Sequence, residues 1–157
     1  PHINVIDEIV HEQNIKTDEF AEKIKAKRYY VREYYGDPAG MQAQGQSGLG
    51  DIEIFRRKGI QVKSIRDKVS RNIASGITHT RGFIENAQGQ RFVHLDKKCI
   101  GLAEDLENYR YPESTEGKDL KPDPVKDGRH DHSMDAFRYF FLNRFPIRQR
   151  ELGVIGR

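Results

Sequence analysis

The strongest constraint on the fold of this chain is an alternation of strand-like and helix-like segments from its N-terminus to about residue 80. Residues 2–6 and 29–35 are rich in the β-branched and aromatic residues typical of strands. Between them, a helix is predicted to begin near Thr17, with Phe20 and Ile24 facing inward. Such alternation favours an α/β or mixed α+β sheet with helices on its faces, in which functional residues collect at the carboxyl ends of strands.

The same periodicity predicts further elements in the middle of the chain. Helices are predicted over 51–58, 68–80 and about 99–109, and a strand is predicted over 60–65. Gly59 and Gly82 are placed at the ends of the first two of these helices. Residues 83–95, which turn at 86–89, are interpreted as a hairpin.

A long polar loop and one more helix complete the predicted domain. Residues 112–130 hold three prolines and many charges, so they are interpreted as the loop. A last helix over about 131–144 is expected to bury Met134, Phe137 and Phe141. We expect a single domain over 1–145 and a loosely held tail over 146–157.

Composition excludes several classes of protein. No apolar run approaches the roughly 18 residues that span a bilayer, so a membrane protein is not expected. Aromatic residues make up 10% of the chain, which argues against wholesale disorder. Cys99 is the one cysteine and has no partner for a disulfide bond.

The formal net charge of +3 conceals two strongly basic blocks. Residues 56–81 have a net charge of +7 and residues 138–157 a net charge of +4, whereas the two other segments carry −4 each. A basic block beside acidic residues suits a protein that binds a polyanion through the first and metal cations through the second. The alternative is that the basic block is an ordinary solvated face. Four cations of the first block are candidates for phosphate contacts, namely Lys63, Arg66, Lys68 and Arg71.

Asp37 is the first acidic residue of chemical interest. It follows the predicted strand over 29–35 and precedes Pro38, Ala39 and Gly40. A carboxylate at a strand end lies at the rim of a sheet, where an ion and a substrate can reach it. The alternative is an ordinary turn-forming residue, because Asp before Pro is common in turns.

A second group of acids and histidines lies at the predicted start of the last helix. Asp131 and Asp135 are four residues apart and His132 and Asp135 are three apart, so each pair shares a helix face. An N-capping Asp131 with a solvated first turn is the alternative to a ligand cluster. Zinc is disfavoured, because the spacing of Cys and His matches no recognised zinc site.

Asp37 and Asp135 together suggest phosphoryl chemistry. Carboxylates are hard oxygen ligands that suit Mg²⁺ or Mn²⁺, and such ions stabilise the attacking and leaving oxygens in phosphodiester cleavage. We expect the two carboxylates to approach closely enough to share an ion, although they are 98 residues apart in sequence. Arg138 either binds phosphate or pairs with an acid on its own helix, and we favour the pairing.

Residues 131–139, DHSMDAFRY, resemble the "DHxxDAxRY" signature of the large terminase subunits of tailed bacteriophages. Weaker resemblances follow in the family's order along the chain: VIDE at 5–8, GDPA at 36–39, RKGI at 57–60, Lys68, Gly76 with Ile77, and LENYRY at 106–111. The resemblance extends over nearly the whole chain to about residue 145.

The resemblance implies the C-terminal nuclease domain of a viral packaging motor, with an RNase H-like fold. Such domains are metal-dependent endonucleases that cut concatemeric double-stranded DNA at the procapsid in the host cytoplasm. Asp37 matches the second metal-binding acid and Asp135 the third, His132 matches an auxiliary catalytic position, and Asp131 is a further candidate metal ligand. The implied cofactor is Mg²⁺ or Mn²⁺, and the implied partners are DNA, the terminase ATPase domain, the small terminase subunit and the portal.

The family's first acid has no counterpart in this chain. That acid lies on a first strand well before the second acid, and Asp37 is too near the N-terminus for such a strand to precede it. The P-loop of the ATPase domain is also absent. We therefore expect an RNase H-like mixed sheet that lacks its first strands and has a buried, unpaired edge. Glu8 is expected to lie two strand spacings away, roughly 9–10 Å, and to fall short of the site.

Two alternatives to an active terminase nuclease remain at this stage. One is a catalytically incomplete fragment that binds DNA or the portal. The other is a different RNase H-like nuclease, such as a resolvase.

Overall fold

The computed structural model describes residues 1–42, 49–64, 72–110, 124, 128 and 130–147. The described strands are β1 (Ile3–Val5), β2 (Tyr34–Tyr35), β3 (Val62–Lys63) and β4 (Val93–Leu95). The helices are α1 (Thr17–Ala26), α2 (Asp51–Arg57), α3 (Ile73–Ile84), α4 (Ile100–Asn108) and α5 (Asp131–Arg144), and a 3₁₀ turn spans Pro38–Met41. None of the described helices has the length and apolar character needed to cross a membrane.

The strands form two parallel pairs. β1 pairs with β4, with Ile3 opposite Val93. β2 pairs with β3, with Tyr34 opposite Val62. Parallel neighbours need a crossover connection, and helices supply it between these strands. Each of the four strands therefore has one paired edge, and within the described residues no strand joins the two pairs.

The core is centred on α5, which packs on α3 and α4. Phe141 is fully buried, and the rings of Phe83 and Phe137 lie 4.8 and 4.9 Å from it between centroids. At the end of α5, the His79 ring Nε2 donates a hydrogen bond of 2.6 Å to the Phe145 carbonyl, because a carbonyl can only accept. His79, for which the sequence indicated no partner, therefore ties α3 to the C-terminus of α5.

The sequence predicted several elements well. The last helix was expected over about 131–144 and is observed over Asp131–Arg144, with Met134, Phe137 and Phe141 buried as predicted. α2 also begins where expected, and Gly59 follows it with a φ of +81°, in the left-handed region that favours glycine at a helix end.

Three predicted elements are wrong in part. The segment 83–95 is not a hairpin, because Phe83 belongs to α3 and residues 93–95 pair in parallel with β1. α3 continues through Gly82 to Ile84, and of the predicted helix over 68–80 the residues 68–71 lie outside the described chain. The strand predicted over 29–35 is reduced to Tyr34–Tyr35, because that is the only part opposite β3.

Candidate functional site

Asp37 lies at the carboxyl end of β2, as predicted. The pairing of β2 with β3 extends to Gly36, whose N–H donates to the Lys63 carbonyl at 3.0 Å. The Asp37 carboxylate then accepts a 2.8 Å hydrogen bond from the Ala39 N–H through Oδ1, so the turn-forming role is also real. The residue is exposed and borders an open groove of about 550 Å³. Oδ1 of Asp37 thus takes part in the turn, and the exposed carboxylate remains accessible to solvent.

Asp135 lies in the second turn of α5, where it pairs with Arg138. Asp135 Oδ1 accepts a 2.7 Å hydrogen bond from Arg138 Nη2. The Arg138 side chain is 5% exposed and that of Asp135 is 29% exposed, so the pair lies at the edge of the core. The pairing of Arg138 with an acid on its own helix, which we favoured from the sequence, is confirmed.

Tyr139 lies beside the pair formed by Arg138 and Asp135. Arg138 Cζ lies 4.6 Å from the centroid of the Tyr139 ring. The pKa of the Tyr139 phenol is raised, first by burial and then by the negative charge of Asp37. Asp135 thus contacts Arg138, whose guanidinium lies against the Tyr139 ring.

Asp131 is buried at the first position of α5. It is 8% exposed, and its Oδ1 has no hydrogen-bond partner in the described part of the chain. A buried carboxylate oxygen without a donor is costly, so this position suits a cation or an added donor. The alternative of an N-capping Asp131 is wrong, because His130 occupies the N-cap and no side chain caps the helix.

His132 is exposed and lines a cavity of about 610 Å³. Asp51 and Phe55 of α2 line both this cavity and the groove beside Asp37. His132 therefore lies on the same side of the molecule as the groove at the end of β2.

Only one of the four cations predicted to contact phosphate lies within the described residues. Lys63 is exposed on β3 and forms an ion pair with Glu33. The other three cations, Arg66, Lys68 and Arg71, lie outside the described residues.

The three candidate acids offer the type of ligand atom that Mg²⁺ and Mn²⁺ prefer. Asp37, Asp131 and Asp135 offer hard carboxylate oxygens, and Oδ1 of Asp131 is buried without a donor. Among the residues that the structure describes, no three His, Cys, Asp or Glu side chains converge into a ready metal site.

Glu8 does not contribute to this site. Its carboxylate accepts hydrogen bonds from the backbone N–H groups of Gly101 and Leu102, at 2.9 and 2.8 Å. These are first-turn donors of α4 that no residue of the helix itself can satisfy. No local pattern indicated this cap, because Glu8 lies 93 residues before Gly101.

Replacing Glu8 with Gln is expected to destabilise the protein by about 1–3 kcal/mol. The amide keeps one acceptor oxygen, so one of the two N–H groups faces an NH₂ group and loses its charge-assisted bond. Urea unfolding at neutral pH measures the loss. Glu12→Gln is the matched control, because Glu12 pairs with Lys23 on the surface, where such pairs contribute little. An equal loss in both variants would argue against the cap.

A second buried network joins the N-terminal loop to α4 and α5. Asp105 is fully buried and contacts His11 Nε2 at 2.8 Å through Oδ1, while Oδ2 accepts the Ser133 hydroxyl. His11 has a φ of +57°, an unusual backbone conformation for a residue other than glycine. Sequence analysis missed this network, because an isolated Asp on a predicted helix resembles a solvated residue.

Comparison with known families adds one finding. The family model of the terminase RNaseH-like domain matches residues 6–144 of this chain. No curated protein matches the chain, and no solved structure does.

Proposed function

The chain belongs to the terminase RNaseH-like domain family, and we propose that it is the metal-dependent endonuclease domain of a viral DNA-packaging motor. Its fold is RNase H-like, a mixed α/β arrangement of small parallel sheets and helices. The proposed reaction is cleavage of concatemeric double-stranded DNA. The observation that carries it is the family match over residues 6–144, which includes Asp37 at the carboxyl end of β2 and Asp135 on α5.

The proposed metal ligands are Asp37, Asp131 and Asp135, which would hold Mg²⁺ or Mn²⁺. When bound, such ions stabilise the attacking and leaving oxygens of a phosphodiester. Residues of the chain orient the carboxylates through hydrogen bonds. Arg138 donates to one oxygen of Asp135, and the Ala39 N–H donates to one oxygen of Asp37. His132 is exposed beside this helix turn, and we assign it an auxiliary catalytic role.

DNA is proposed to approach along the basic block. Lys63 is exposed on β3, next to the strand that ends in Asp37, and phosphate would replace Glu33 as its partner. Arg66, Lys68 and Arg71 follow in the sequence and are proposed to extend the contact. In the assembled motor, we expect the ATPase domain, the small subunit and the portal as partners, at the procapsid in the host cytoplasm.

The counterpart of the family's first acid is proposed to come from a strand beside β2. Within the described chain, β1 and β2 each have one unpaired edge. An open groove of about 720 Å³ lies next to both, lined in part by Ile6, Tyr35 and Phe140. A further strand there would satisfy the free backbone groups and add a carboxylate near Asp37. The domain over 1–145 is thus proposed to be incomplete at its N-terminal side.

A plasmid-nicking assay with Mn²⁺ tests the proposed function. The 157-residue chain and a version extended upstream are compared, each with Asp37→Asn and with Asp18→Asn as the matched control. Asp18 is an exposed acid of α1 that lines neither the groove beside Asp37 nor the cavity beside His132. We expect Mn²⁺-dependent nicking, at least by the extended version, that Asp37→Asn abolishes and Asp18→Asn leaves intact. Cleavage that survives Asp37→Asn would overturn the assignment.

A DNA- or portal-binding role without cleavage is the second candidate. It is favoured by the lack of a three-ligand cluster among the described residues. If both versions bind DNA and neither nicks it, this second candidate replaces the first.

A further inference from the structure

Arg138 lies in a space that α3 leaves free for it. The residue is buried, and Gly76 of α3 faces the methylene groups of its side chain. A Cβ added at Gly76 would lie 3.0 Å from Arg138 Cδ and 3.2 Å from Leu142 Cδ1. Such distances are tighter than ordinary packing, so glycine is what allows the arginine stem to lie flat between α3 and α5.

The guanidinium is fixed by one carboxylate and one aromatic ring. Nη2 donates to Asp135 Oδ1 at 2.7 Å, and Cζ lies 4.6 Å from the centroid of the Tyr139 ring. Nε and Nη1 have no hydrogen-bond partner in the part of the chain that the structure describes. A buried cation held in this way has few alternative positions, so it restricts the rotation of the Asp135 carboxylate.

Tyr139 limits the position of the guanidinium from its ring side. The residue is half-buried, and its ring lies against Cζ of Arg138, one position earlier on the same helix. Gly76, the Tyr139 ring and Asp135 thus define where the guanidinium lies.

We propose that Arg138, held by Gly76 and the Tyr139 ring, is a positioning residue that sets the orientation of the Asp135 carboxylate for a divalent cation. The inference rests on the proposed function, because it assumes that Asp135 is a metal ligand. Arg138 occupies Oδ1 of Asp135, which leaves Oδ2 to face an ion. Hydrogen bonds from outer residues to ligating carboxylates are a general means of raising metal affinity.

Titration of the chain with MnCl₂ by isothermal calorimetry tests this role. We expect Arg138→Lys to weaken Mn²⁺ affinity by about 10–100-fold, since a lysine cannot contact both the carboxylate and the ring face. Tyr139→Leu removes the ring that lies against the guanidinium and is expected to weaken affinity by about 10-fold. Gly76→Ala, which displaces Arg138 without touching either acid, should act in the same direction. Arg144→Lys, the same change at an exposed position of α5, is the control and should bind like the original chain.

The outcomes separate this inference from the proposed function. The same titration is carried out on the version extended upstream. If neither version binds Mn²⁺, the proposed metal site is overturned and the positioning role falls with it. If a version binds Mn²⁺ and its Arg138→Lys variant binds it equally or more tightly, only the positioning role is overturned. Urea unfolding of each variant shows whether the chain is folded under the titration conditions. Weaker binding by folded Arg138→Lys and Tyr139→Leu supports the role.

Discussion

Replacing Asp135 with Ala is expected to destabilise the protein by about 3–5 kcal/mol, in addition to any loss of activity. The reason is Arg138, whose side chain is 5% exposed and pairs with Asp135 through a hydrogen bond of 2.7 Å. Removing that partner leaves a buried positive charge without compensation. Urea unfolding at neutral pH measures the change in the free energy of unfolding.

The conservative variant separates the two roles of Asp135. Asp135→Asn keeps an oxygen that accepts from Arg138 but removes the charge that compensates the guanidinium, so its expected cost is about 2–3 kcal/mol, less than that of alanine. It removes the negative charge that a divalent cation needs, so nicking with Mn²⁺ should be abolished in a folded protein. If Asp135→Asn still cleaves DNA, Asp135 is not a metal ligand. If Asp135→Ala is as stable as the original chain, the buried ion pair does not contribute as the geometry indicates.

Replacing Asp105 with Ala is expected to cost about 3–5 kcal/mol as well. Asp105 is fully buried, and its two oxygens contact His11 and the Ser133 hydroxyl. The alanine leaves a cavity and two polar groups without their acceptor, and it releases the N-terminal loop from α4 and α5.

A double-mutant cycle isolates the contact between Asp105 and His11. The free energies of unfolding of Asp105→Ala, His11→Ala and the double variant give the coupling, which we expect to exceed about 1 kcal/mol. Asp18→Ala on the exposed face of α1 is the control and should cost less than about 1 kcal/mol. A coupling near zero would show that the 2.8 Å contact contributes nothing to stability.

Much of the fold follows from local patterns in the sequence. α5 was predicted to within its observed bounds, because apolar residues recur at helical spacing from Met134 to Phe141. Asp37 was placed at the end of a strand by the Gly and Pro residues that follow it. Both signals act over a few residues, so they can be interpreted without knowledge of the tertiary structure.

The errors occur where a strand needs a partner. Residues 29–33 have strand composition but pair with nothing in the described chain, since only Tyr34 and Tyr35 lie opposite β3. Val93 pairs with Ile3, 90 residues away, and not with the neighbouring segment that a hairpin requires. Strand propensity describes a surface that fits a sheet, whereas the pairing itself is decided by long-range packing.

The sequence by itself determined which residues are chemically capable of the proposed reaction, and its resemblance to large terminases agrees with the family match over residues 6–144. It did so because residue type, periodicity and motif spacing are local properties. Only the tertiary structure decided that Glu8 caps α4 and that Asp105 anchors His11. Both contacts join residues more than 90 positions apart, and their removal from water gives them their energetic weight.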